Sequence, residues 1–173
     1  GGKTSQLAAA LQGQGLLLAN EFVAARAEIL RQNLERMGVT NAVITNEDTA
    51  RLAAAMPGQF DRVLVDAPCS GLGVMTDKPD LKYRVTDESI ELLKAEQKKI
   101  LDACSSYVKV GGLLVYSTCS ILPEENEKQV EEFLLNHPEF KPDEGDAWVP
   151  EKLKPRFRNG MLALLPCRDG VEG

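Results

Sequence analysis

Apolar residues in this chain switch repeatedly between short continuous runs and helical spacing. Leu16-Leu17-Leu18-Ala19 is an unbroken run closed by Asn20-Glu21, the pattern of a buried strand. Phe22, Ala25, Ile29, Leu30, Leu34 and Met37 then keep roughly helical spacing up to Gly38, which predicts an amphipathic helix over 22–37. Ala42-Val43-Ile44-Thr45 reads as a second strand, ending in Asn46-Glu47-Asp48. A short helix over 49–55 and a Pro57-Gly58 turn lead to a third strand, Arg62-Val63-Leu64-Val65-Asp66. A long helix follows over 87–108, its inner side marked by Ile90, Leu93, Lys94, Gln97, Ile100, Leu101, Cys104 and Val108. Gly111-Gly112 is expected to reverse the chain into a strand at 113–116, and Pro123 to open a helix reaching about Asn136. A last strand is expected within 161–165, and residues 5–11 favour helix. This alternation predicts an α/β fold with a largely parallel sheet, occupying 1–173 as one domain without internal repeats.

Bulk properties narrow the function. A chain of 173 residues, 43% hydrophobic, is long enough to bury one core. A net charge of −6 gives no overall basic field, so any nucleic-acid contact must come from a local patch. No run approaches the ~18 apolar residues of a membrane span, and no signal peptide opens the chain. Cys69, Cys104, Cys119 and Cys167 have neither metal-site nor disulfide-framework spacing. They are expected to be reduced thiols in a cytoplasmic protein without a metal or membrane partner. The single histidine, His137, sits beside Pro138 at an expected helix end, where a surface role is the better reading.

Candidate chemistry collects at the predicted strand ends. In open parallel sheets, ligands bind beyond the carboxyl ends of strands. Three consecutive strands end near an acid: Glu21, Asp48 and Asp66. One such acid is usually a helix cap, whereas three suggest a polar ligand rim. Cys69 follows Asp66 on a turn bounded by Pro68 and Gly71, and Cys119 stands in Ser117-Thr118-Cys119-Ser120 at the end of another strand. Two strand-end thiols, one beside an acid, suit covalent addition to an electron-poor ring. The plainer alternative is that Asp66 caps the turn and Cys69 fills space. Between Ser70 and Thr86 runs a long connection whose Lys78, Lys82, Tyr83 and Arg84 suit phosphate contact and base stacking, or simply a solvated loop. Gly1-Gly2-Lys3-Thr4 leads into the first helix, as a phosphate or cofactor cradle would, although such a cradle needs a strand before it. The same residues match the tail of a P-loop, with 63–66 as a Walker B strand, but that reading gives no role to Cys69, Cys119 or Glu21.

Asp66-Ala67-Pro68-Cys69-Ser70-Gly71, Tyr116-Ser117-Thr118-Cys119-Ser120 and Pro123-Glu124-Glu125-Asn126-Glu127 together resemble the Sun/Nop (RsmB/RsmF) family of RNA cytosine-5 methyltransferases. The resemblance runs essentially from Gly1 to Gly173. It implies a Rossmann-like class I sheet, S-adenosylmethionine as cofactor and RNA, of the small ribosomal subunit, as partner. By that likeness Cys119 is the nucleophile on carbon 6 of cytosine. Asp66 hydrogen-bonds the ring and contacts the methyl donor, and Cys69 assists loss of the carbon 5 proton. Gly1, Gly2 and Lys3 match the end of the family's cofactor loop, Glu21 the acid on the ribose hydroxyls, and Asp48 the acid near the adenine. Against that pattern the chain lacks the first, central strand before the glycine loop and the last strand. A partial catalytic domain with a gap in mid-sheet is therefore expected. A non-catalytic RNA-binding derivative, using Lys82, Arg84, Lys152, Lys154, Arg156 and Arg158, is the remaining alternative.

Overall fold

Each predicted strand–helix alternation is present in the computed structural model, which describes residues 1–145 and 148–171. Two compact units result, Gly1–Pro57 and Gly58–Gly173.

In the first unit, helix α1 (Gly2–Leu11) precedes strand β1 (Leu17–Asn20), helix α2 (Ala24–Arg36), strand β2 (Ala42–Thr45) and helix α3 (Thr49–Ala55). β1 and β2 pair in parallel, Leu17 opposite Ala42 and Asn20 opposite Thr45. Their connection is the helix α2, as a parallel pair requires. Leu30 and Leu34 bury one stripe of α2 with Ala19, and Val39, Ala42 and Ile44 pack around them. Arg31 bridges Glu28 and Glu35 on the solvent side of the same helix, so its charges cluster opposite its apolar stripe.

The second unit begins with strand β3 (Phe60–Asp66), then a 3-10 turn at Leu72–Val74 and the short helix α4 (Leu81–Arg84). Helix α5 (Asp87–Ser105) starts at a capping box, Thr86 accepting from the Ser89 amide while Ser89 accepts from the Thr86 amide. Strand β4 (Val108–Ser117) returns beside β3 in parallel, with Val63 opposite Leu114 and Asp66 opposite Ser117. A 3-10 turn (Pro123–Glu125) leads to helix α6 (Glu127–Asn136). Beyond it come strands β5 (Phe157–Arg158) and β6 (Met161–Leu162), paired antiparallel, and helix α7 (Pro166–Asp169). α5 packs on β3, β4 and α6, and Leu101, Cys104, Val65, Tyr107 and Phe133 are among its unit's buried residues. Burial pushes the Cys104 thiol up to about 12, as a core position requires.

The α/β class expected from the pattern is therefore present, with parallel pairing in both larger sheets. Four local expectations are corrected. Gly111-Gly112 does not reverse the chain but lies inside β4, where the register slips between Phe60 opposite Val108 and Arg62 opposite Leu113. Gly111 has φ +80, and a Cβ on Gly112 would lie 2.9 Å from the Asp61 carbonyl oxygen, so the bulge selects glycine twice. Val108 accordingly belongs to β4 rather than to the preceding helix. The helix expected from Pro123 is broken at Asn126, whose backbone (φ −119, ψ −97) is not helical. The connection 70–86 is not plain loop either, since it holds the 3-10 turn and α4.

Candidate active site

The site is built where β3 and β4 end. Register places Asp66 opposite Ser117, and the Ala67 amide donates to the Ser117 carbonyl at 3.0 Å, so both strands release their chains side by side. Three residues after Asp66 comes Cys69, and two after Ser117 comes Cys119. Their sulfurs lie 3.3 Å apart, and the Cys119 amide donates to Cys69 Sγ at 3.4 Å. Both thiols are half-buried. Burial, and then the neighbouring Cys119 sulfur, push the Cys69 thiol up to about 11. Cys69 therefore keeps its proton at neutral pH and can donate it toward Cys119 Sγ.

The turn around Cys119 is stitched by side chains. Thr118 Oγ1 accepts from the Ser120 amide at 3.1 Å and donates to Asn126 Oδ1 at 2.5 Å. Asn126 Nδ2 in turn donates to the Ser120 and Leu122 carbonyls, both at 2.9 Å. From the other loop, the Gly73 amide donates to the Cys119 carbonyl at 2.9 Å. A Cβ on Gly73 would stand 2.6 Å from that oxygen, so only glycine permits the approach.

Beneath both loops is a carboxylate, Glu125, with no solvent exposure. It accepts from the Ser70 amide at 2.9 Å, Ser70 Oγ at 2.5 Å and Gln97 Nε2 at 3.0 Å. Gln97, equally buried, also donates to the Pro68 carbonyl at 2.8 Å, which leaves its Oε1 without a partner among the described residues. Tyr116 Oη donates to the Glu125 carbonyl at 2.8 Å, and burial raises this phenol well above its usual range. Ser70, Gln97, Gly73, Glu125 and Asn126 were not singled out as site residues from sequence. The available signals were the positions of Ser70, Glu125 and Asn126 inside the motifs that carry the resemblance, and Gln97 as a polar residue on the inner stripe of α5.

The acids of the first unit are arranged differently. Glu21 follows β1, accepts from the Val23 amide at 3.0 Å and pairs with Arg26 at 3.0 Å. Asp48 caps α3, accepting from the Ala50 and Arg51 amides at 2.9 and 3.1 Å. β1 and β2 are in register, and Asn46 Nδ2 bonds the Glu21 and Phe22 carbonyls, so both acids stand on the rim formed by two adjacent strand ends. Gly2 and Lys3 lie in the first turn of α1, with Gly1 at its N-cap.

The basic candidates are partly spoken for. Arg84 pairs with Asp80 at 3.3 Å, Lys154 with Glu151 at 2.5 Å and Arg156 with Asp169 at 2.6 Å. Lys82 Nζ lies 4.8 Å from the Tyr83 ring centroid, and Tyr83 is 80% exposed. Lys78 lies between the 3-10 turn and α4. His137 is less peripheral than expected: it stacks on Phe133 at 4.4 Å, with Nε2 3.0 Å from Asp102. Among the described residues no group of His, Cys, Asp and Glu is arranged to hold a metal ion, and no helix is long and apolar enough to cross a membrane.

Parallel strands deliver an acid and two adjoining thiols to one sheet edge of an α/β fold. The chain belongs to the 16S rRNA methyltransferase RsmB/F family, whose model matches residues 1–173. The methyl donor of this family is S-adenosylmethionine, and the P-loop reading falls with that assignment. Ribosomal RNA small subunit methyltransferase F of Vibrio cholerae is 40% identical over 164 residues, covering 95% of this chain and 33% of that protein. Probable ribosomal RNA small subunit methyltransferase B of Bacillus subtilis is 35% identical over 175 residues, covering 100% of this chain and 39% of that protein. The crystal structure of NSun6 from Pyrococcus horikoshii with SFG superposes with a TM-score of 0.72 at 32% identity, covering 79% of this chain and 34% of that one. The chain thus spans 33% to 39% of the length of the two curated relatives.

Proposed function

We propose that this chain carries the catalytic centre for methylation of carbon 5 of a cytosine in small-subunit ribosomal RNA, through a transient bond to Cys119. The observation that carries the reading is the 3.3 Å approach of the Cys69 and Cys119 sulfurs at the ends of adjoining parallel strands. Carbon 5 of cytosine is a poor nucleophile until a thiolate adds at carbon 6 and raises its electron density. Because Cys69 holds its proton, its S–H can stabilise the Cys119 thiolate before attack. Asp66, the last residue of β3 and three positions before Cys69, suits a hydrogen bond to the ring as charge develops on it. After methylation the carbon 5 proton must leave so that the bond between carbon 6 and Cys119 can break. To accept it, Cys69 must first release its own proton to solvent. The thiolate so formed is a strong base for a thiol, and it takes the carbon 5 proton as Cys119 leaves as a thiolate.

S-adenosylmethionine supplies an electrophilic methyl carbon. Its polar groups suit the first unit's rim: Glu21 for the ribose hydroxyls and Asp48 for the adenine edge, with Gly1, Gly2 and Lys3 at the N-terminus of α1. The target base has to leave its stack, at about a few kcal/mol in a duplex. Exposed Tyr83, with Lys82 against its ring and Lys78 and Arg84 close by in sequence, offers stacking and positive charge to the flanking RNA.

The test is RNA containing 5-fluorocytosine, in which fluorine replaces the proton that must leave. Full-length gene product, RNA and S-adenosylmethionine should form a covalent complex that maps to Cys119. Cys119→Ala should form none, while Cys69→Ala should accumulate the adduct even on ordinary cytosine. An adduct that survives Cys119→Ala and vanishes in Cys69→Ala would exchange the two roles. A passive RNA binder would give no adduct with any variant.

A further inference from the structure

A carboxylate stripped of water is costly unless every lone pair is matched, so a fully buried one with a defined set of donors calls for an explanation. Glu125 is such a group, and its donors come from outside its own segment: Ser70 lies 55 positions away and Gln97 lies 28 away. Its role as acceptor also dictates the direction of a hydrogen-bond chain. Ser70 Oγ gives its hydrogen to Glu125 Oε2, so at the 3.1 Å contact with Ser120 it can only accept. Ser120 must therefore donate to Ser70, while its own oxygen accepts from the Leu122 amide at 3.1 Å. The residue after each thiol is thus clasped to the residue after the other. Gln97 adds a second hold on the same loop, through the Pro68 carbonyl just before Cys69.

We propose that Glu125 is a positioning residue for the covalent reaction: through Ser70, Ser120 and Gln97 it sets the separation of the Cys69 and Cys119 sulfurs. It does not touch the thiols. It acts by fixing the backbone on both sides of Cys69 and the side chain following Cys119. The proposal rests on the proposed function above for its catalytic consequence, though the effect on sulfur geometry stands apart from it. Gln in place of Glu125 keeps the shape but puts an amide N–H₂ against one of the donors, so one hydrogen bond is lost or the Ser70–Ser120 direction inverts.

Two readouts test this on the full-length gene product. The first is disulfide closure by diamide, which takes up the two thiol hydrogens as the Cys69–Cys119 bond forms. That rate is a ruler for the sulfur pair, because 3.3 Å must shorten to about 2.05 Å with a fixed dihedral. The second is single-turnover methyl transfer to small-subunit ribosomal RNA. Glu125→Gln should slow closure about tenfold and lower kcat about 100-fold, with KM for RNA and for S-adenosylmethionine within about twofold. Ser70→Ala should lie between it and the wild type, and the unfolding midpoint of Glu125→Gln should stay close enough to wild type for both assays at 25 °C. Wild-type closure and kcat in Glu125→Gln would overturn the proposal. So would equal losses in closure, kcat and both KM values in step with loss of folded protein, which is the signature of a purely structural residue. If the unmodified protein transferred no methyl group while Glu125→Gln still slowed closure, the proposed function would fail and the positioning role would survive.

Discussion

The strand ends of the two units solve the same problem with different materials. At the end of β1 and β2, Glu21 and Asp48 bond the backbone amides two and three residues ahead of them, so each acid is held by its own helix. At the end of β3 and β4, Cys69 meets Cys119 and Ser70 meets Ser120, each across 50 positions, over a carboxylate with no exposure. The acid side chains of the first edge are held by sequence neighbours, whereas the thiols of the second are held by partners far along the chain, above a buried carboxylate. A local edge tolerates movement and suits a ligand that exchanges every turnover. An interlocked edge suits a step in which a sulfur must be within bonding reach of one ring atom.

The sharpest break in that comparison is Cys119→Ala, which should lower methyl transfer on the order of 10⁴-fold or more in a radiolabel assay while leaving S-adenosylmethionine binding intact. Next is Gly73→Ala, which drives a methyl group to 2.6 Å from the Cys119 carbonyl. It should cost about 1–3 kcal/mol of stability by chemical denaturation and displace the turn that carries Cys119. A wild-type rate in that variant would mean the second edge is looser than described. On the first edge, Glu21→Ala should weaken S-adenosylmethionine binding about tenfold, about 1.4 kcal/mol by calorimetry, with kcat little changed. Were kcat to fall instead, the distinction between an exchanging edge and a reacting edge would be lost.

Proton linkage probes the second edge alone. Cys69 is raised from 9.0 to about 11, so the folded state favours its neutral thiol. Its contribution to stability is whole below about pH 9 and is lost as pH climbs through about 11. Iodoacetamide should accordingly label Cys69 slowly near neutrality, with the rate rising over that same window. The smallest effect is expected of Asp48→Ala, about 1 kcal/mol for the lost helix cap.

Local order explains what could be read in advance. β2 and α3 fall on the predicted residues because a β-branched run and an Asp cap act within a few positions. Asp66, Cys69 and Cys119 were identifiable as strand-end residues, and the structure brings them to one edge. The reading failed where meaning is non-local. Gly111-Gly112 looks like a turn until Phe60, Asp61 and Arg62 arrive to require a bulge. Glu124 and Glu125 look alike in sequence, both acids suited to a helix start. Yet Glu124 reaches Lys128 at the surface while Glu125 turns inward to Ser70. Which of two adjacent acids is buried depends on a loop 55 positions earlier, beyond the range of any local rule.

The matched pairs 69 with 119 and 70 with 120 have a consequence for how such a chain can change over generations. A single inserted or deleted residue in either turn would throw out of step two couples at once, one of sulfur and one of hydroxyl. Length variation is thereby steered into the stretch between them, which can lengthen or shorten wherever it leaves both turns, Gly73 and Gln97 in place. Drift in these genes should therefore spare the two short turns and accumulate in the connection around α4.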